Sequence, residues 1–111
     1  MEKRNISAIV VTHNRLPLLK ECINSLRNQT YKLAAIIVVD NGSDDGTANW
    51  LKNQMDLDVV SQSNIGCAGG LEAGEKRSLQ LGTDWIWLMD DDGVPEENSL
   101  KNLVLEIDSH Y

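Results

Sequence analysis

Trp85-Ile86-Trp87-Leu88-Met89 runs straight into Asp90-Asp91-Asp92-Gly93. Five apolar residues in a row read as a strand buried on both faces. Three carboxylates then appear where that strand leaves the core. Crowded like charges repel, so the cluster is costly unless a cation sits beside it. In extended backbone, residues i and i+2 point the same way. Asp90 and Asp92 are therefore expected to face one ion while Asp91 turns aside. A hard divalent cation, Mg²⁺ or Mn²⁺, suits one or two carboxylates plus substrate phosphates. The structural alternative is helix capping and first-turn charge before Pro95, for which one acid would suffice.

Upstream of this strand, apolar runs and helical spacings alternate. Residues 6–11 and 35–39 read as β-branched strands, and 57–60 as a third. Residues 16–27 carry Leu19, Cys22, Ile23 and Leu26 at helical spacing, with Pro17 in the first turn. A second helix is expected over 47–55, capped by Ser43 or Asp44. A third is expected over 69–81, interrupted by Gly74 and ended by Gly82. A fourth is expected over 95–107, with Leu100, Leu103, Val104 and Ile107 on one stripe. The order is β-α-β-α-β-α-β-α. It predicts a Rossmann-like α/β domain, with about four parallel strands and helices on both faces.

Composition narrows the partners. A 111-residue chain holds one domain with a modest core. Its net charge of −7 argues against nucleic acid or an anionic membrane as the main partner. A phosphate ligand would then need a metal, a helix N-terminus or a local Arg. The two cysteines, Cys22 and Cys67, read as reduced thiols of a cytoplasmic chain, not as a disulfide framework. The longest apolar run, 33–39, is far too short to span a bilayer. No secretory segment follows the N-terminal charges.

In open parallel sheets, ligands bind outside the carboxyl ends of the strands. All four expected strands end in polar or glycine-rich sequence. The first gives Thr12, His13, Asn14 and Arg15. The second gives Asp40, Asn41, Gly42, Ser43, Asp44, Asp45 and Gly46. The third leads to Asn64, Gly66, Cys67, Gly69 and Gly70, and the fourth to the aspartates. Turn chemistry explains part of the second cluster. Asp40 stands apart, because it ends an apolar strand and can accept from a ligand NH or hydroxyl. The glycines serve either tight packing or close approach of a ligand to the backbone.

These four ordered clusters resemble family 2 glycosyltransferases of the GT-A fold, over nearly the whole chain. The glycine segment and the Trp-x-Trp-Leu-Met-Asp-Asp-Asp run look most like bacterial rhamnosyl- and galactofuranosyltransferases. The resemblance implies a nucleotide-sugar donor, most often a UDP- or dTDP-sugar. It also implies inverting transfer to a hydroxyl of a glycan or glycolipid acceptor, as in cell-surface polysaccharide synthesis, with peripheral membrane association allowed. By the same resemblance, Asp40 holds the pyrimidine edge, and Thr12, Asn14, Arg15 and Asn41 line the nucleoside pocket. Asn64, Gly66, Gly69 and Gly70 close beside base and ribose. Asp90 and Asp91 meet the nucleotide, while Asp90 and Asp92 hold Mn²⁺ or Mg²⁺. An inverting displacement needs a general base. The family supplies it from a later segment, so the base is expected beyond Tyr111. Residues 1–111 are then expected to be the donor-binding half.

Two other readings compete. Asp90-x-Asp92-Gly93 after an apolar strand fits a haloacid dehalogenase-type phosphatase, but that family needs a later Lys and a further acidic pair, and only 18 residues follow Gly93. A non-enzymatic receiver domain matches in size, but Thr12-His13-Asn14 stands where its acidic pair belongs.

Overall fold

The structure is a computed structural model that describes residues 4–110, without the side chain of His110. What the sequence suggests for residues 1–3 and for Tyr111 lies outside the described residues. Four strands and four helices alternate: β1 (Ile6–Thr12), α1 (Leu16–Arg27), β2 (Ala35–Asn41), α2 (Thr47–Lys52), β3 (Asp58–Gln62), α3 (Gly66–Gln80), β4 (Trp85–Asp90) and α4 (Ser99–His110). The sheet order is β3-β2-β1-β4, and every described pairing is parallel. A receiver sheet places β3 beside β1. Here β4 takes that place, which removes the receiver reading. The chain order reverses between β1 and β4, the position at which such sheets open a crevice.

β1 and β2 form the centre, and their β-branched residues meet helices on both sides. Ala8, Val10, Ile36 and Val38 face α1 and α2, packing with Leu19, Cys22, Ile23, Leu26 and Leu51. Fully buried side chains such as Leu19 and Ile23 each contribute about 1.5–3 kcal/mol. On the same side, Ile6 packs with Leu100 and Val104 of α4. Ile9, Ile37 and Val39 face the other way, toward Ala73 of α3. Gly70 and Gly74 let α3 approach. A Cβ on either would stand 2.5 Å from Val11 or Ile9 respectively.

β4 departs from the expectation of a strand buried on both faces. Trp85, Ile86 and Leu88 are exposed, Leu88 by 51%. The reason is position. β4 is an edge strand, and α3 packs over β1 and β2, leaving the Ile86–Leu88 face uncovered.

Three helix boundaries also differ from the sequence reading. α4 begins at Ser99, not Pro95, because the Glu96 and Glu97 carbonyls are taken by neighbours. Gln29 Nε2 donates to Glu96 O (2.8 Å) and Thr30 N donates to Glu97 O (2.8 Å). The buried Gln29 also accepts from Leu100 N at 3.1 Å, satisfying a helix-end amide. α2 stops at Lys52, where Asn53 and Gln54 donate into a tightened last turn. Neither Ser43 nor Asp44 caps α2. Both bond to Asn14, and Asp45 accepts from Thr47 N instead. α3 begins at Gly66, so Gly69 and Gly70 are helical residues, not loop residues.

Candidate nucleotide-binding cleft

Strand register assembles the site. Thr12 lies opposite Asp40, and Val11 lies opposite Asp90. The carboxyl ends of β1, β2 and β4 thus stand side by side, with the β1/β4 reversal among them. A cleft of about 680 Å³ opens there. Its wall comes from the end of β1 and its loop (Val11, Thr12, His13, Arg15), from Asn41 and Asn64, from the start of α3 (Cys67, Leu71), and from Leu88, Met89, Asp90, Asp91 and Gly93.

Of the residues singled out in the sequence, the cleft wall contains Thr12, Arg15, Asn41, Asn64, Asp90 and Asp91. Asn14, Asp40, Gly66, Gly69, Gly70 and Asp92 are not part of that wall. Gly70 sits against Val11, and Gly69 against Ile65. Gly70 thus seats α3 on β1, whereas Gly69 packs locally against the residue that opens α3. The general base, expected beyond Tyr111, falls outside the described residues.

The three aspartates occupy different environments. Asp90 ends β4 on the same side as Leu88 and has no side-chain partner among the described residues. Asp91 turns to the opposite side and is buried at 8% exposure. Its Oδ2 accepts from Thr12 Oγ1 (3.0 Å), and its Oδ1 accepts from Arg15 Nη1 (3.3 Å). Alternation therefore holds as far as Asp91. A turn closed by Gly93 N donating to Asp90 O (2.8 Å) then ends the extended backbone. Asp92 lies in that turn, exposed, 3.9 Å from Arg15 Nη1.

The set suits a hard divalent cation. Asp90 and Asp92 are exposed oxygen donors, and Asp90 is unpartnered. Among the described residues no group of three His, Cys, Asp or Glu forms a complete metal cage. Two carboxylates with substrate phosphates completing the shell is the arrangement Mg²⁺ favours.

Beside the aspartates, Cys22 Sγ donates to Asp90 O at 3.4 Å. Burial, then the charges of Asp91, Asp92 and Asp90, push its thiol up to about 12. Cys22 is thus a neutral core residue and not a nucleophile.

The β1 and β2 loops are clipped together. Asn14 adopts φ +52°, a left-handed conformation Asn tolerates. Its amide N donates to Ser43 Oγ (3.0 Å), and its Oδ1 accepts from Asp44 N (2.7 Å). His13 Nδ1 lies 2.8 Å from Asn41 O. A carbonyl only accepts, so Nδ1 carries the proton, and Nε2 is left to accept from Asn14 Nδ2 at 3.3 Å. Asp40 is buried, with Oδ1 accepting from Ser43 N at 3.2 Å and Oδ2 without a partner among the described residues. Asp45 joins two helix starts. It accepts from Leu16 N at the head of α1 and from Thr47 at the head of α2. These bonds, the Thr47 hydroxyl first, hold its carboxyl below the usual range.

Sequence reasoning missed Gln62. It pairs in register with Asn41 and donates to it. The available signal was a polar residue at the carboxyl end of a strand.

The family model for glycosyl transferase family 2 matches residues 7–111. The chain belongs to glycosyltransferase family 2. Galactofuranosyltransferase GlfT1 of Mycolicibacterium smegmatis is 37% identical over 102 residues, covering 90% of this chain and 34% of the relative. The fold matches S. aureus TarS, solved with UDP-GlcNAc, at a TM-score of 0.81 and 26% identity, over 96% of this chain and 32% of that one. It also matches the mannosyltransferase PcManGT of Pyrobaculum calidifontis, solved with GDP-Man and Mn²⁺. There the TM-score is 0.71 and the identity 28%, over 94% of this chain and 32% of that one. The chain spans about a third of the length of these proteins. Among the described residues, no helix is long and apolar enough to cross a membrane.

Proposed function

We propose that this chain is the donor-binding half of an inverting glycosyltransferase that uses a UDP- or dTDP-sugar. The observation that carries the reading is the Asp90 carboxylate, without a side-chain partner among the described residues, on a cleft at the β1/β4 reversal, two residues before Asp92, which lies 3.9 Å from Arg15 Nη1. The family membership supports it, as do the nucleotide-sugar complexes of the structural relatives.

In this reading Asp90 and Asp92 hold Mg²⁺ or Mn²⁺ against the donor diphosphate, and Asp90 also contacts the ribose. A bound divalent cation stabilises the charge that builds on a departing diphosphate. Thr12 and Arg15 line the nucleoside pocket, and Oδ2 of Asp40 accepts from the pyrimidine ring N–H. Asn64 closes the base side. Asp91, which also lines the cleft, faces the nucleotide from beside Arg15. It accepts from Thr12 and Arg15 and so holds the arginine over the cleft. The acceptor is a hydroxyl of a glycan or glycolipid on the cytoplasmic side of a membrane. The base that takes its proton lies beyond Tyr111, in the part of such enzymes that this chain does not span.

Calorimetric titration tests the reading. UDP and dTDP are titrated into the wild-type chain with Mn²⁺ and then with EDTA, alongside Asp92→Asn. Metal-dependent binding that the substitution removes is expected. Equal binding with and without metal, or none to a chain shown to be folded, refutes the assignment of these aspartates.

A further inference from the structure

Asn41 lies in the cleft wall, yet it is only 3% exposed and its amide is fully committed inside the protein. Its Nδ2 donates to Asn64 Oδ1 (3.2 Å) and to Gly66 O (3.0 Å). Its Oδ1 accepts from Gln62 Nε2 (3.2 Å) and from Ile65 N (3.2 Å). An Asn amide has two donor hydrogens and two acceptor lone pairs, so nothing is left for a ligand. The orientation of the amide is set by the backbone. Ile65 N can only donate and Gly66 O can only accept, so a flipped Asn41 would break both bonds.

The four partners share one consequence. Three of them belong to residues 64–66, the segment that brings the chain from β3 into α3. Asn64 Oδ1 is fixed in turn, accepting from Asn41 Nδ2 and from Gly66 N (3.1 Å). Asn64 Nδ2 has no protein partner among the described residues and lies on the exposed rim of the cleft. The same segment is braced sterically from the residue that follows β2. A Cβ on Gly42, at φ +74°, would stand 2.7 Å from Asn64 N.

We infer that Asn41 is a positioning residue: it sets the 64–66 segment at the cleft rim, so that Asn64, and not Asn41, presents a free amide to the nucleotide. The inference rests on the nucleotide reading above and refines it. It also explains why this position suits Asn and not Asp. An aspartate of the same shape would turn two donors into acceptors and set them against Gly66 O and Asn64 Oδ1. Like partial charges in a buried site cost more than the bonds they replace.

Asn41→Asp in the 111-residue chain tests this with two readouts. The first is UDP affinity with Mn²⁺ by calorimetry, on protein whose fold is verified by circular dichroism. The second needs no nucleotide. Cys67 is exposed and follows the segment directly, whereas Cys22 is buried and its thiol is pushed up to about 12. The labelling rate of Cys67 by a thiol reagent therefore reports where the segment sits. The variant is expected to bind UDP at least about tenfold more weakly, because the anchoring bonds of a binding segment are lost. Cys67 labelling is expected to change severalfold. A residue that only adds stability would lower the melting temperature but leave both readouts of the folded protein unchanged. That result overturns the inference.

If Asn41→Asp does not fold, Gly42→Ala displaces the same segment from the other side. It is expected to move both readouts, and wild-type values in it overturn the inference equally. A wild-type chain that binds no UDP refutes the nucleotide reading, and the labelling rates still decide whether Asn41 places the segment.

Discussion

Gly74→Ala sets two effects of opposite sign against each other. In a helix interior, Ala is favoured over Gly by about 1 kcal/mol, so propensity alone predicts stabilisation. Packing opposes it. The added Cβ would stand 2.5 Å from Ile9 Cγ2, and 3.4 Å from both Ile9 Cδ1 and Val39 Cγ2. Carbon atoms rest at about 3.5–4.0 Å, so relief needs a shift of roughly 1 Å. Ile9 and Val39 are fully buried between sheet and helix and have nowhere to go. The helix must lift instead, loosening its contacts along the Ile9–Ile37–Val39 layer. Overpacking of this kind costs about 1–3 kcal/mol. The net expectation is a loss of up to about 2 kcal/mol, or up to roughly 15 °C in melting temperature for a domain near 100 residues. Urea unfolding followed by circular dichroism measures it, with the slope checked so that only stability has changed. A higher urea midpoint than wild type at unchanged slope would show that α3 has slack over β1. The close-packing account of Gly74 would then be wrong.

Two further expectations concern the polar scaffold. Gln29→Ala removes the amide that joins Ser25 O, Glu96 O and Leu100 N, leaving a buried helix-end amide unpaired. A loss of about 2–4 kcal/mol is expected in urea unfolding, and a loss under about 1 kcal/mol would show the network to be dispensable. Asp45 has its carboxyl held low by Thr47 and Leu16. Its stabilisation is therefore present above the ordinary carboxylate pKa and is lost as pH falls through the lower folded value. Urea midpoints measured from neutral to acid pH are expected to fall more steeply below about pH 4 in wild type than in Asp45→Asn, and parallel curves would remove Asp45 as a source of acid sensitivity.

The centre of the fold was readable from local pattern. The β-branched runs of β1 and β2, and the Leu19-Cys22-Ile23-Leu26 stripe of α1, fix their own structure, because each is buried whatever lies beyond it. The exposure of Ile86 and Leu88 was not readable. It depends on β4 being last in the sheet and on α3 packing elsewhere, and neither is written in residues 85–89. The start of α4 was misplaced for a similar reason. Pro95 is a good first helical residue, but Gln29 and Thr30, distant in sequence, capture the carbonyls that would begin the helix. At the site, the strand-end placement of Thr12, Asn41 and Asp90 followed from alternation. The hydrogen-bond saturation of Asn41 did not, since it needs Gln62 and residues 64–66 in three dimensions.

The parallel sheet bears on how the chain acquires its structure. Of the described strands β1 is synthesised before the others and sits inside the sheet, with one flank completed by β2 and the other only when β4 arrives. Among the described residues no tight hairpin is available to start the sheet. Each pairing must close a crossover, and the β1–β4 pairing encloses the two other strands and three of the helices. The entropy of those closures is lost before the contacts repay it, which slows folding relative to helical domains of this size. On the ribosome, the Ile6–Thr12 strand emerges long before its second neighbour. Until Trp85–Asp90 follows, it presents an unpaired, β-branched edge of the kind that chaperones exist to shield.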